Sequence, residues 1–125
     1  MIFGTSAHFE FEPDSSILYS MKYHHLGIPT DLPREGETYL PQFKMFVSGH
    51  GTSPYGVEWM RFEPDCPLPA LVQTVPHVAF EVDDLAAAIA GKEVLIAPNS
   101  PSEGVMVAFI VDNGAPIEFL EFEDQ

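Results

Sequence analysis

The chain is poor in the residues that several large function classes require. It holds one cysteine, Cys66, in 125 residues, which excludes an intrachain disulfide and any thiolate zinc motif. A lone cysteine ordinarily packs as a small hydrophobe. Basic residues number 5 against 19 acids, for a formal net charge of -14. That field repels nucleic acid and anionic lipid, and it favours a metal cation or a small ligand held by one. No apolar run approaches the ~20 residues of a membrane-crossing helix. The opening stretch MIFGTSAHFEFEPD has neither a basic start nor a small-residue cleavage site. It is a poor secretory leader, and a cytoplasmic location is expected.

What is present suits a packed protein. Hydrophobic residues make up 46% of the chain, enough for a core in one domain or two small fused modules. Residues 1–20 read as an extension, in which Phe9 to Glu12 alternates as a strand would. Residues 21–66 read as a first, short module. It has strands at Tyr23 to Thr30, Lys44 to Gly49 and Val57 to Glu63, and at most one or two helical turns around Arg34 to Leu40. Residues 67–76 hold several prolines and read as a linker with one helical turn near Leu71. Residues 77–125 read as β-α-β-β-β: His77 to Val82, a helix from Leu85 capped by Asp83 or Asp84, then strands from Glu93, Val105 and Ala115. The stretch NSPSEG is expected as a loop, and the DNG before Ala115 as a hairpin turn.

The two halves follow one plan. His25 and Glu58 are 33 positions apart, His77 and Glu118 are 41 apart, and the difference of 8 is about one short helix. This is an internal repeat with a deletion. In a strand, side chains two apart share a face. His77 therefore lies with Ala79 and Glu81, away from the apolar face of Val78, Phe80 and Val82 that must cover the helix. His25 lies with Gly27 by the same count, and His24 is expected to point the other way with Leu26 and Ile28. Glu118 shares its face with Leu120 and Phe122, and Glu58 with Met60 and Phe62. A carboxylate among apolar neighbours needs a cation or strong donors. With so few Lys and Arg, two imidazoles and a divalent metal are the natural partners. One His and one Glu from each repeat form a pseudo-symmetric set suited to Zn, Ni, Co, Mn or Fe(II).

These residues carry a resemblance. HVAFEVDDL, VAFIVDNG and IEFL in the second half, with HHLGIPTDL opening the first, resemble the glyoxalase / bleomycin-resistance / extradiol-dioxygenase superfamily, the vicinal oxygen chelate proteins. The resemblance spans nearly everything from Met21 onward. It implies an α+β fold of paired βαβββ modules curled into a cup around one metal, the first module here being short and lacking a helix and, on this reading, a strand. Phe9 to Glu12 is the candidate for the missing strand. It implies metal ligands at His25, Glu58, His77 and Glu118, modules that pair within or between chains, and on that ground a homodimer. Three functions are then expected in competition. One is a metal-dependent lyase or isomerase acting on a small substrate chelated through vicinal oxygens, with Glu58 or Glu118 as the proton-transferring base. A second is an Fe(II) dioxygenase built on His25, His77 and Glu118, with His24, His50 and Tyr55 as further candidates by type. The third is a metal-free small-molecule binder of the bleomycin-resistance kind, which the acidic charge would suit.

Overall fold

A computed structural model describes residues 21–123. The strand expected at Phe9 to Glu12 lies outside them. The described elements run β1 (Lys22–Pro29), β2 (Thr38–Leu40), β3 (Met45–Ser48), β4 (Val57–Phe62), α1 (Ala70–Thr74), β5 (His77–Glu81), α2 (Leu85–Ile89), β6 (Glu93–Ser102), β7 (Val105–Asp112) and β8 (Ala115–Phe122). The strands form one mixed sheet in the order β2-β3-β4-β1-β5-β8-β7-β6, which curls into a half-barrel cup with few helices. The fold is therefore α+β. No described helix is long and apolar enough to cross a membrane.

The repeat is visible in the pairing. β1 runs parallel to β4 with Gly27 opposite Glu58, and β5 runs parallel to β8 with Ala79 opposite Glu118. In each half the glutamate thus faces the residue two places after the histidine. β1 and β5 pair antiparallel at the centre, which joins the halves into one surface within a single chain.

The second half follows its hydrophobic pattern closely. Val82, Leu85, Ala88, Ala108, Ile110 and Phe119 form a buried cluster beneath α2. Ala79, Val105, Val107 and Leu120 form another on the opposite, concave face. Asp84 caps α2, its side chain accepting from the Ala87 amide at 3.1 Å. Asn113 and Gly114 both take positive φ, 52° and 82°, as a two-residue turn between β7 and β8 requires.

Three expectations are corrected. The first half has four strands of its own, so among the described residues no strand is missing. The stretch read as helical turns around Arg34 to Leu40 ends in the short strand β2, because Pro33 and Gly36 break a helix before it can form. The stretch NSPSEG is mostly strand, since β6 runs on to Ser102 with several register shifts against β7. Its serine-rich end reads as a loop because irregular edge pairing has no period-2 signature.

In the first half no helix among the described residues covers the outer face. Two arginines do so instead. Arg61 lies 4.1 Å over the Phe46 ring and donates to Glu37 at 2.9 and 2.7 Å, while Arg34 lies 5.5 Å from the Trp59 ring. Across the cup mouth, Gln42 in the β2–β3 turn donates to the Pro101 carbonyl of β6 at 3.3 Å, linking the two ends of the sheet.

Candidate metal centre

The concave face encloses a cavity of about 350 Å³, with His25, Glu58, His77 and Glu118 all on its wall. Its remaining lining is mainly aliphatic and aromatic. His25, His77 and Glu118 are buried, at 5%, 2% and 9% exposure. Their ligand atoms lie within 4.8 Å of one another. His77 Nε2 is 3.0 Å from Glu118 Oε1, and His25 Nε2 is 3.2 Å from the same oxygen. Glu58 Oε1 lies 3.5 Å from His25 Nε2, but Glu58 is more exposed and stands outside this tight group.

Local structure explains how four such groups meet. Strand alternation turns His77 and Glu118 into the cup, and burial on both sides of the sheet holds them there. Gly27 lies directly opposite His77 in the β1–β5 ladder. A Cβ built on Gly27 would sit 2.3 Å from His77 Cε1, so the imidazole occupies space that only glycine leaves. Gly27→Ala is accordingly expected to push the ring out of place. A thermal melt should show a loss of about 1–3 kcal/mol from overpacking, and a metal titration should show weakened binding.

His24 departs from its expected face. Tyr23 pairs with Phe80 and His25 with Ala79, so His24 is an extra residue in β1. Such a bulge puts two consecutive side chains on one side of the sheet, and His24 lines the cavity with His25. His24 Nδ1 is 2.7 Å from His25 Nδ1. His50, exposed on a glycine-rich turn, stacks on the His24 ring at 4.8 Å between centroids. Burial, then the neighbouring His25 and His50, lower the His24 pKa. A neutral His24 can accept the proton of His25 Nδ1, which leaves the lone pair of His25 Nε2 facing the site. His24→Ala should therefore weaken metal binding about 10- to 100-fold, and His24→Asn, which keeps an acceptor, should recover part of it. Competition against a chromophoric chelator measures both.

Charge decides whether the site suits a cation. Burial pushes the Glu118 carboxyl up, but the imidazoles of His25 and His77 outweigh it and hold the group at about 2. Burial pushes His25 down, and Glu118 followed by Glu58 reverses this, for a net upward shift. Yet His25 Nε2 has no hydrogen-bond partner of proper geometry among the described residues, despite two carboxylates nearby. A buried nitrogen lone pair beside two carboxylate oxygens, with no Lys or Arg on the wall, is the donor set a divalent ion takes. The residues fit. His77 Nδ1 is also buried without a partner among the described residues, so within them this ring lacks an outer hydrogen bond of the kind His25 has. The second group whose ligand atoms come together, His24, His25 and His50, carries no anionic ligand and is partly exposed. The His25–His77–Glu118 group is the stronger candidate for that reason.

No protein-family model matches the chain, and no curated protein does. Among solved structures, a hypothetical protein from Bacillus halodurans C-125 superposes with a TM-score of 0.64 at 19% identity, over 85% of this chain and 97% of that one. The likeness shows that the curled-sheet fold is shared.

Proposed function

We propose that the protein is a metal-dependent lyase or isomerase of the glyoxalase kind, within the vicinal oxygen chelate superfamily, acting on a small substrate held through two adjacent oxygens. The observation that carries this reading is the equivalent placement of His25 with Glu58 and His77 with Glu118 in the two halves, all four opening onto one apolar cavity. Bound by His25, His77 and Glu118, with Glu58 beside them, a divalent ion (Zn, Ni, Co, Mn or Fe(II)) supplies Lewis-acid polarisation of a substrate oxygen.

The two glutamates then take different parts. Glu118 is enclosed between two imidazoles and held at about 2, which makes it a poor base. Glu58 stands outside the buried group with its side chain 25% exposed. On this reading it removes a proton from the carbon beside a carbonyl lodged in the cavity and returns it at the neighbouring carbon. The partly exposed Glu58 carboxylate can trade that proton with solvent while it is held, so solvent deuterium enters the substrate. The test is proton NMR of 2-hydroxyacetophenone in D2O with metal-loaded protein. Deuterium entering the carbon next to the carbonyl supports the reading, and a rate equal to buffer contradicts it.

A second reading, an Fe(II) dioxygenase on the two-His, one-carboxylate trio, gains from His24 and His50, which both reach the cavity and provide further acid–base groups. Oxygen uptake by the Fe(II)-loaded protein with catechol would favour it over the first.

A further inference from the structure

The chain contains only five cationic side chains, Lys22, Arg34, Lys44, Arg61 and Lys92. None of them lines the metal cavity. Lys44 is paired with Asp65, and Arg61 is bound bidentately to Glu37 on the outer face of the sheet. Lys22 and Lys92 are exposed and also off the cavity wall. Residues 1–20 and 124–125 contain neither Lys nor Arg, so no part of the chain can add one. Among the described residues, the groups on the wall able to carry positive charge are four imidazoles gathered at the metal end. Away from them the wall is built from residues such as Leu40, Phe43, Met45, Val107 and Leu120, with Asn99 and Ser102 as the polar exceptions.

Arg34 lies in an adjoining cleft of about 340 Å³ that shares Glu58 and His50 with the cavity. Its charge is already engaged there. The guanidinium donates to Ser48 Oγ at 3.2 Å and lies against the Trp59 ring, and the same cleft holds the carboxylates of Glu35 and Glu58. A buried anionic tail would therefore lie unpaired against aliphatic groups, inside a protein of net charge -14. The volume of about 350 Å³ has room for about a dozen water-sized groups, which sets the size of the ligand.

We propose that the substrate is a small molecule with a neutral, apolar body of aryl or branched-alkyl type, attached to the oxygen pair that meets the metal, and that carboxylated or phosphorylated substrates are rejected. This rests on the metal-site reading above and goes beyond it. The body lies against the aliphatic wall between the β2–β3 turn and β6. That turn and strand are joined by the Gln42–Pro101 hydrogen bond, so the walls that sort substrates come from both ends of the sheet.

Three hydroxamic acids separate the proposal from the reading beneath it, because they share one chelating head. Acetohydroxamic acid has almost no body, benzohydroxamic acid has an apolar one, and 4-carboxybenzohydroxamic acid adds a negative charge. Their affinities for the zinc-loaded full chain are measured by calorimetry. Benzohydroxamic acid is expected to bind about tenfold or more tighter than the acetyl compound, and about tenfold or more tighter than the carboxylated one. Phe43→Arg, a half-buried wall position in a turn, should raise the affinity for the carboxylated probe and reverse that order. Equal binding of all three wild-type pairs, or a preference for the carboxylated probe, overturns the proposal and leaves the metal site intact. So does a carboxylated probe that binds well and loses its affinity in Arg34→Ala, since the anion would then use the adjoining cleft. Failure of every hydroxamate to bind overturns the metal-site reading itself, and the substrate class with it.

Discussion

Glu118→Gln is expected to release the metal and to destabilise the metal-free protein as well. The substitution keeps shape but removes the one buried negative charge between His25 and His77. Loss of the anionic ligand should weaken divalent-metal binding by more than about 100-fold, beyond what loss of an outer hydrogen bond does. In the metal-free chain the same carboxylate holds two imidazoles, and breaking such a buried arrangement from one side costs about 3 kcal/mol. The pH dependence gives an independent check. Glu118 falls from 4.5 when unfolded to about 2 when folded. Its contribution is therefore present above 4.5 and is lost as pH falls toward 2. His25 is raised above 6.5, so its contribution is full below 6.5 and is lost as pH rises through the raised value. The melting temperature of metal-free wild type should thus be highest between 4.5 and 6.5 and fall on either side, and in Glu118→Gln both of those falls should be much smaller. A variant that keeps the wild-type profile would show that the three side chains do not interact as described.

Glu58→Gln should act in the opposite way, sparing the metal and removing the chemistry. Glu58 stands at the edge of the group, 3.5 Å from His25 Nε2 and partly exposed. Its amide replacement leaves the buried trio of His25, His77 and Glu118 intact. Metal affinity should fall by less than about tenfold. Removing a positioned base should slow deuterium exchange into 2-hydroxyacetophenone by about 100- to 10,000-fold. Stability should change little, because a partly exposed carboxylate at the rim of the group makes a small contribution. The split between the two readouts is the informative result. A variant that loses metal and exchange together would make Glu58 a ligand only, and one that loses neither would remove it from the mechanism.

Much of this site could be read in the sequence, and the parts that could not have identifiable physical reasons. The alternation in HVAFEV and APIEFLEF assigns faces without ambiguity, because one face of each strand is buried under α2 and period-2 patterning records that burial. His77 and Glu118 follow from it. His25 and Glu58 follow from the repeat spacing. His24 does not, because a bulge adds one residue to β1 and inverts the parity on which the assignment depends. Two adjacent histidines in a strand were the available signal. Gly27 was visible only as a small residue on the right face, and its role depends on the cross-strand approach of the His77 ring, which no local pattern encodes. The shortened half was legible as a deletion of about one helix. What covers the sheet in its place was not, since Arg34 over Trp59 and Arg61 over Phe46 join residues distant in the chain.

On the proposed function His25, His77 and Glu118 hold one divalent ion per chain. Elemental analysis of protein purified without chelator, beside His77→Ala prepared identically and shown by circular dichroism to be folded, tests it most directly. One equivalent of metal in the wild type and almost none in the folded variant is the expected result. Metal-free wild type that also takes up none of the offered divalent ions, or a variant that retains the full equivalent, would contradict it.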